Sequence, residues 1–315
     1  MDPLLSYVCG RQKDIVPLIR EMVECESPTH DRAAVTRFAE LVADRVSTHA
    51  RVKLLPGGRY GKHLRAEFSL PGRRKEGRVL ALGHSDTVWP LGTLRTMPFR
   101  QSAGRLWGPG VFDMKSGIAF FLFAMEALRE MDVPVTRRVT LQLNSDEETG
   151  SESSRMLTEA EARRSEEVLV LEPGTGLSGK LKTARKGVGV YHVNVEGKAA
   201  HAGVDFTEGA SAVVELARQI ERIAGFTRLE RGLTVNPGVI SGGTRSNVVA
   251  AEASAEVDVR VQRLRDAAPL DRRFRALKPF DKRCKLSVTG GLNRPPMERS
   301  PGVGKLFRAA QAAGA

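Results

Sequence analysis

The chain has 315 residues, of which 41% are hydrophobic and 5% aromatic, a composition typical of a globular protein of two domains. Lys and Arg outnumber Asp and Glu by 49 to 37, but the basic residues are spread along the chain without interleaved aromatic residues, which argues against nucleic-acid binding. The longest apolar run, residues 118–125, is well short of the roughly 18 residues of a membrane helix. Because neither this run nor the N-terminal residues 1–10 provide a membrane helix, we expect a soluble cytoplasmic protein. Cys9, Cys25 and Cys284 show neither a disulfide nor a metal-binding spacing, so we expect them to be reduced.

Hydrophobic periodicity predicts two amphipathic helices within residues 15–46. A short, continuously apolar run at residues 79–83 then predicts a buried strand that ends at His84. Residues 98–106 predict a β-hairpin, and residues 114–130 predict a helix.

Two further strands end in acidic residues. Residues 139–144 alternate in polarity and lead to Glu147 and Glu148, and the apolar residues 168–171 precede Glu172. Strands that alternate with helices predict an α/β fold, in which a mostly parallel sheet is covered by helices on both faces. Ligands of such sheets bind beyond the C-terminal ends of the strands, so the polar residues that follow these strands are expected at one edge.

The pattern changes after residue 186, where a strand, a helix and two more strands follow one another. This order predicts an α+β domain at residues 185–290, inserted into a first domain that comprises residues 1–184 and 291–315. Residues 290–301, which contain glycine and proline, are expected to be the linker that returns to the first domain.

His84 and Asp86 are two residues apart at a strand end, so their side chains share a face. The Asp86 carboxylate can then accept a hydrogen bond from the imidazole nitrogen that does not bind metal. His84 is thus a candidate metal ligand, although a motif of only three residues also recurs by chance.

Four carboxylates extend this pattern. Asp113 follows a Gly-Pro-Gly turn and precedes a helix, where a carboxylate ordinarily caps the helix but can also bridge two cations. Glu147 and Glu148 are adjacent and point to opposite sides, so one can bind metal while the other faces a water molecule. Glu172 ends an apolar strand, where an unpaired carboxylate would be costly.

Imidazole and carboxylate ligands without cysteine suit Zn²⁺ at a catalytic site, with Mn²⁺ or Co²⁺ as substitutes. The sequence contains neither HExxH nor GxSxG, so nothing supports covalent acyl transfer. The pattern favours metal-assisted hydrolysis instead.

Five ordered motifs resemble those of the M20 family of metallopeptidases. They are GHSDTV from residue 83, GPGVFDMKSG from residue 108, SDEETGS from residue 145, LEPG from residue 171 and GKAAHAG from residue 197. GGTRSNVV from residue 242, with the later DVR, is most similar to the glutamate carboxypeptidase, or carboxypeptidase G2-like, branch of this family. The resemblance runs from about residue 10 to residue 315.

The resemblance implies two zinc ions bridged by Asp113. One ion would also be bound by His84 and Glu172, and the other by Glu148 and a distant histidine. Family members supply that histidine beyond the equivalent of Ala315, together with the last strands of the catalytic sheet. The sequence is therefore expected to be a truncated chain or a fragment.

The histidines outside the family motifs all lie before or within the inserted domain, namely His30, His49, His63 and His192. None of them occupies the place of the missing ligand, so the second zinc site is expected to lack its histidine in this chain.

The resemblance also implies the catalytic roles. Asp86 would orient His84, and Glu147 would take the proton from the attacking water. The peptide bond between Asp113 and Met114 is expected to be cis.

The inserted domain resembles the family's dimerisation and lid domain, which implies a homodimer. From it, His201 would stabilise the oxyanion in the partner subunit's active site. Asn247, Arg260 and Lys180 would bind the carboxylate of the substrate. Without the resemblance, His201 would be interpreted as a loop histidine and Arg260 as a surface cation.

Together these features predict metal-dependent hydrolysis of an amide bond by a carboxypeptidase, which releases a C-terminal amino acid such as glutamate from a peptide or an N-acyl amino acid. Alternatives within the family are an N-acyl-amino-acid deacylase or desuccinylase and a dipeptidase. An alternative of another class is an inactive, truncated protein that only dimerises.

Overall fold

The computed structural model describes residues 3–176 and 178–314. These residues fall into two compact units, one up to Gly174 and one from Thr175 onward. The helices of the first unit are α1 (Pro3–Gly10), α2 (Gln12–Glu24), α3 (Arg32–Val46), α4 (Ser116–Glu130) and α5 (Arg155–Arg163), and its strands are β1 (Ala50–Pro56), β2 (Lys62–Phe68), β3 (Arg78–His84), β4 (Arg100–Ser102), β5 (Arg105–Trp107), β6 (Arg138–Asn144) and β7 (Glu167–Val170).

The central sheet of the first unit has the strand order β1-β2-β6-β3-β7. Strands β6, β3 and β7 are parallel, so their C-terminal ends lie at the same edge. Strands β1 and β2 are antiparallel to each other, and β2 is antiparallel to β6. The predicted α/β fold is confirmed, and the antiparallel pair is an addition to it. Strands β4 and β5 form the predicted hairpin outside this sheet.

One face of the sheet is apolar. Leu64, Ala66, Leu141 and Leu143 are fully buried there and pack into one core with the apolar residues of α2, α3 and α4. Because successive side chains of a strand point to opposite faces, the residues between them lie on the other side.

Helix α5 covers that second, polar face. Gln142 donates a hydrogen bond to Thr158 Oγ1 over 2.9 Å. Glu161, which is only 7% exposed, pairs with Arg65 over 3.2 Å and with Arg78 over 3.0 Å. Polar pairs rather than apolar packing therefore hold α5 on the sheet.

The second unit is an α+β structure, as predicted. Its elements are β8 (Gly187–Glu196), α6 (Ala212–Ala224), β9 (Thr234–Gly242), β10 (Glu252–Val261), α7 (Ala267–Arg275), β11 (Lys285–Arg294) and α8 (Pro301–Ala313). The antiparallel sheet has the order β11-β8-β10-β9, and α6 and α7 cover its apolar face, where Tyr191 and Phe274 stack with ring centroids 3.8 Å apart. Within the described ranges, every helix is too short or too polar to cross a lipid bilayer.

The predicted linker at residues 290–301 is wrong in its first part, because residues up to Arg294 belong to β11 and pair with β8. Gly290 and Gly291 have φ values of +86° and +154°, yet they pair in register with Tyr191 and Val190 of β8. The division into a discontinuous first domain and an inserted one stays a prediction.

Candidate metal centre

Three of the predicted metal ligands converge at the edge where the parallel strands end. His84 is the last residue of β3, Glu172 follows β7, and Asp113 lies with a non-helical backbone in the turn that precedes α4. His84 Nε2 is 3.0 Å from Asp113 Oδ1 and 3.5 Å from Glu172 Oε1. One ligand atom of each residue lies within 4.8 Å of the other two. Among the described residues, these three form the group of His, Cys, Asp or Glu side chains that is close enough to hold a metal ion.

Asp113 reaches this group from a turn docked on the end of β3, not from a strand of the sheet. The backbone N–H of His84 donates to Met114 Sδ over 3.2 Å, which places that turn against the strand end. The peptide bond between Asp113 and Met114 is cis, as predicted.

The His84 ring has a fixed orientation. Its Nδ1 lies 2.9 Å from the backbone carbonyl oxygen of Asp86 and 3.4 Å from the carboxylate of that residue, so the carbonyl is the nearer acceptor. Nε2 is left facing Asp113 and Glu172. Burial acts to lower the pKa of His84, but hydrogen bonds to Asp113, Asp86 and Glu172 outweigh it and raise the pKa to about 12.

The Asp86 carboxylate, only 1% exposed, connects three segments of the chain. Its Oδ1 accepts a hydrogen bond from the backbone N–H of Glu147 over 3.2 Å, and its Oδ2 accepts one from the N–H of Glu148 over 3.2 Å. Oδ2 also accepts from the Thr29 hydroxyl over 2.9 Å. Asp86 therefore fixes both His84 and the turn that carries the two glutamates. Thr29, between α2 and α3, belongs to no motif, and the sequence carried no signal for its role.

Glu147 and Glu148 lie in the short helical turn after β6. Burial raises the pKa of Glu148 to about 7; the charge of His84 opposes this shift, and the carboxylate of Asp113 adds to it. Glu148 is thus electrostatically coupled to the group of three without belonging to it.

His201 and Asn247 lie next to each other in the second unit. The backbone N–H of Ala202 donates to the carbonyl oxygen of Asn247 over 3.0 Å, and His201 pairs with Val248. His201 is exposed, and its Nδ1 accepts from the N–H of Gly203 over 3.1 Å.

Arg260 and Lys180 lie elsewhere in this unit. Arg260 lies near the C-terminal end of β10, and its guanidinium forms two hydrogen bonds with Asp258, over 2.9 and 3.0 Å. Lys180 is exposed and pairs through its backbone with Thr175. The unit therefore brings together two of the four predicted substrate-facing residues.

The chain matches two family profiles, that of the M20 peptidase dimerisation domain over residues 183–277 and that of peptidase family M28 over residues 68–184. Carboxypeptidase G2 from Pseudomonas sp. strain RS-16 is 30% identical over 310 residues, which cover 96% of this chain and 74% of that protein. Acetylornithine deacetylase from Myxococcus xanthus is 33% identical over 196 residues, which cover 58% of this chain and 49% of that protein. The crystal structure of aminopeptidase PepT from Bacillus cereus superposes with a TM-score of 0.81 at 20% identity, covering 96% of this chain and 82% of that one, and so shares the fold.

Proposed function

Because the chain belongs to the M20 family of metallopeptidases, we propose that it is a metal-dependent carboxypeptidase, which releases the C-terminal amino acid of a peptide or an N-acyl amino acid. The observation that carries this proposal is the convergence of His84, Asp113 and Glu172 beside the turn that bears Glu147. The similarity to carboxypeptidase G2 over nearly the whole chain supports the carboxypeptidase activity. Glutamate is our proposed leaving amino acid.

We propose that His84, Asp113 and Glu172 hold one metal ion and that Asp113 and Glu148 contribute to a second. The donors fit this role, because one imidazole nitrogen and two carboxylate oxygens lie within 4.8 Å of one another and the other ring nitrogen already donates to a carbonyl. Such a set suits Zn²⁺, and Mn²⁺ or Co²⁺ could substitute for it. A divalent ion bound there would polarise the scissile carbonyl and make a water molecule a stronger acid.

In the proposed reaction, Glu147 takes a proton from the attacking water and later delivers it to the leaving amine. The hydrogen bond between its backbone N–H and Asp86 fixes the backbone from which the Glu147 side chain extends. Asp86 itself exchanges no proton in this scheme and acts only by holding His84 and the turn.

The substrate's free carboxylate would be bound by Asn247, Arg260 and Lys180, and His201 would stabilise the oxyanion. Arg260 already pairs with Asp258, so it would have to share or exchange this partner when substrate binds. In a homodimer, His201 would serve the active site of the partner subunit. The match to the dimerisation domain supports this arrangement.

A second candidate is an N-acyl-amino-acid deacylase, which the similarity to acetylornithine deacetylase favours. A panel of peptides, N-acyl glutamates and N-acetyl amino acids would separate the two activities. C-terminally amidated peptides are the control, because a carboxypeptidase needs the free carboxylate. Efficient cleavage of amidated peptides at a free amino terminus would contradict the carboxypeptidase proposal.

Glu147→Gln tests the catalytic base. We expect turnover to fall by about 10²-fold or more while the bound metal stays in place, because the amide cannot accept a proton. Glu152→Gln is the matched control, since Glu152 is exposed in the same loop and pairs with the exposed Arg59 and the hydroxyl of Tyr60. Unchanged turnover in Glu147→Gln would refute the assigned base, and a metal-loaded wild type that cleaves no member of the panel would support the non-catalytic alternative.

A further inference from the structure

His63 is a fully buried histidine of β2 that the proposed reaction does not use. Both of its ring nitrogens contact one loop distant in the sequence. Nδ1 faces Ser145, 82 residues away, and Nε2 faces Ser153, 90 residues away. These two serines flank the turn that carries Glu147 and Glu148.

The hydrogen bonds fix the tautomer of the His63 ring. The backbone N–H of Ser145 donates to Nδ1 over 3.1 Å, so Nδ1 carries no proton. Nε2 must then carry it and donate to Ser153 Oγ, 3.3 Å away. Burial lowers the pKa of His63, which agrees with a neutral ring in this place.

Asp146, which lies within this loop (residues 145–154), forms hydrogen bonds that join its two ends. Asp146 Oδ2 accepts hydrogen bonds from the Ser153 hydroxyl over 2.8 Å and from the backbone N–H groups of Ser153 and Ser154 over 2.6 and 3.3 Å. His63 therefore contacts both ends of a closed loop, and a shift of the ring would move the loop as a whole.

In the strand order, β6 lies between β2 and β3, so its terminal loop has a neighbour on each side. From the β3 side, Asp86 accepts the N–H groups of Glu147 and Glu148. From the β2 side, His63 binds Ser145 and Ser153. We infer that His63 is a positioning residue, which holds the Glu147–Glu148 turn in register with the metal-binding edge; this inference rests on the proposed function.

The alternative is a histidine that merely fills and satisfies the interior. Substitution of such a residue would lower stability without changing the turnover of the molecules that remain folded. A positioning residue instead changes the turnover number, because misplacing a catalytic group by about 1 Å can cost about 10²-fold in rate.

The test compares three variants of the full chain with saturating zinc. His63→Leu removes all three hydrogen bonds, which join the ring to the backbone N–H of Ser145, the Ser145 hydroxyl and the Ser153 hydroxyl. We expect kcat to fall by about 10- to 100-fold with KM within about twofold. His63→Asn keeps an acceptor near the place of Nδ1 and should restore most of kcat. His49→Leu is the matched control, because His49 is a buried histidine of the same unit whose ring contacts Thr48 and Phe68 instead of the loop.

Hydrogen exchange of the peptide spanning residues 145–154 provides a readout that does not depend on activity. We expect faster exchange in His63→Leu than in wild type and no change in His49→Leu. If His63→Leu does not fold, Ser145→Ala, which removes the hydroxyl contact with His63 Nδ1 over 2.9 Å and keeps the backbone N–H, should show a smaller change in the same direction. Values of kcat and exchange within about twofold of wild type in folded His63 variants would overturn the inference. An inactive wild type whose exchange still depends on His63 would refute the proposed function and leave the positioning role intact.

Discussion

The Asp86 carboxylate offers a direct test of how the site is held together. In Asp86→Asn the shape of the side chain is kept, but one oxygen becomes an NH₂ group. Oδ1 accepts from the backbone of Glu147, whereas Oδ2 accepts from Glu148 and Thr29. In either orientation of the amide, at least one buried backbone N–H therefore faces a donor and loses its acceptor.

A buried donor without a partner costs about 1–3 kcal/mol, so we expect Asp86→Asn to lower the free energy of unfolding of the first unit by about 2 kcal/mol. The chain contains 2 tryptophans, Trp89 and Trp107, both in the first unit, so tryptophan fluorescence during urea unfolding reports on that unit. The measurement belongs in a chelating buffer, because bound metal would add its own stabilisation.

Thr29→Val is the control, since it removes one donor and leaves both backbone N–H groups paired with Asp86. We expect it to cost about 1 kcal/mol, less than Asp86→Asn. If Asp86→Asn were no less stable than Thr29→Val, the proposed linkage of the turn to Asp86 would be refuted.

Three further predictions concern the surroundings of the site. Glu161→Ala leaves Arg65 and Arg78 without their nearest carboxylate. Because these arginine side chains are still 20% and 16% exposed, we expect the free energy of unfolding to fall by about 2–3 kcal/mol, which is below the full cost of breaking a buried pair. Unchanged stability in urea unfolding would contradict this prediction. Gly117→Ala would place a methyl group 2.0 Å from the backbone carbonyl oxygen of Leu171, so the backbone that carries Glu172 would have to shift. We expect zinc affinity, measured by competition with a chromophoric chelator, to fall by about 10-fold or more. An unchanged affinity would argue against Glu172 as a ligand. Removing zinc held at 100 times its Kd should destabilise the first unit by about 2.7 kcal/mol, and a midpoint of unfolding that does not depend on zinc would count against a metal site in the folded state.

Sequence patterns predicted the elements that carry the site. Apolar runs and helical periodicity correctly indicated α2, α3, α4, β3, β6 and β7. Because parallel strands end at one edge, the order of these elements also implied that His84 and Glu172 would be close, and they lie 3.5 Å apart.

The sequence of β2 carries a local strand signal, although β2 is not among the predicted elements. Strand β2 alternates between apolar residues on the core face, such as Leu64 and Phe68, and polar residues such as His63 and Arg65, a period of two that is typical of a strand. The glycines of β11 favour a linker when only the sequence is considered, because glycine is common in loops. Their pairing with β8 becomes visible only in the sheet.

The sequence by itself determined which residues are the candidates for metal binding and catalysis, because residue type, local spacing and the M20 motifs name His84, Asp113, Glu147, Glu148 and Glu172. Only the tertiary structure decided how they are held. The contacts of Asp86 with the glutamate turn join residues 61 and 62 positions apart, and those of His63 span 82 and 90 positions. Such contacts depend on which strands are neighbours and in which register, and these are properties of the whole sheet that no local pattern encodes.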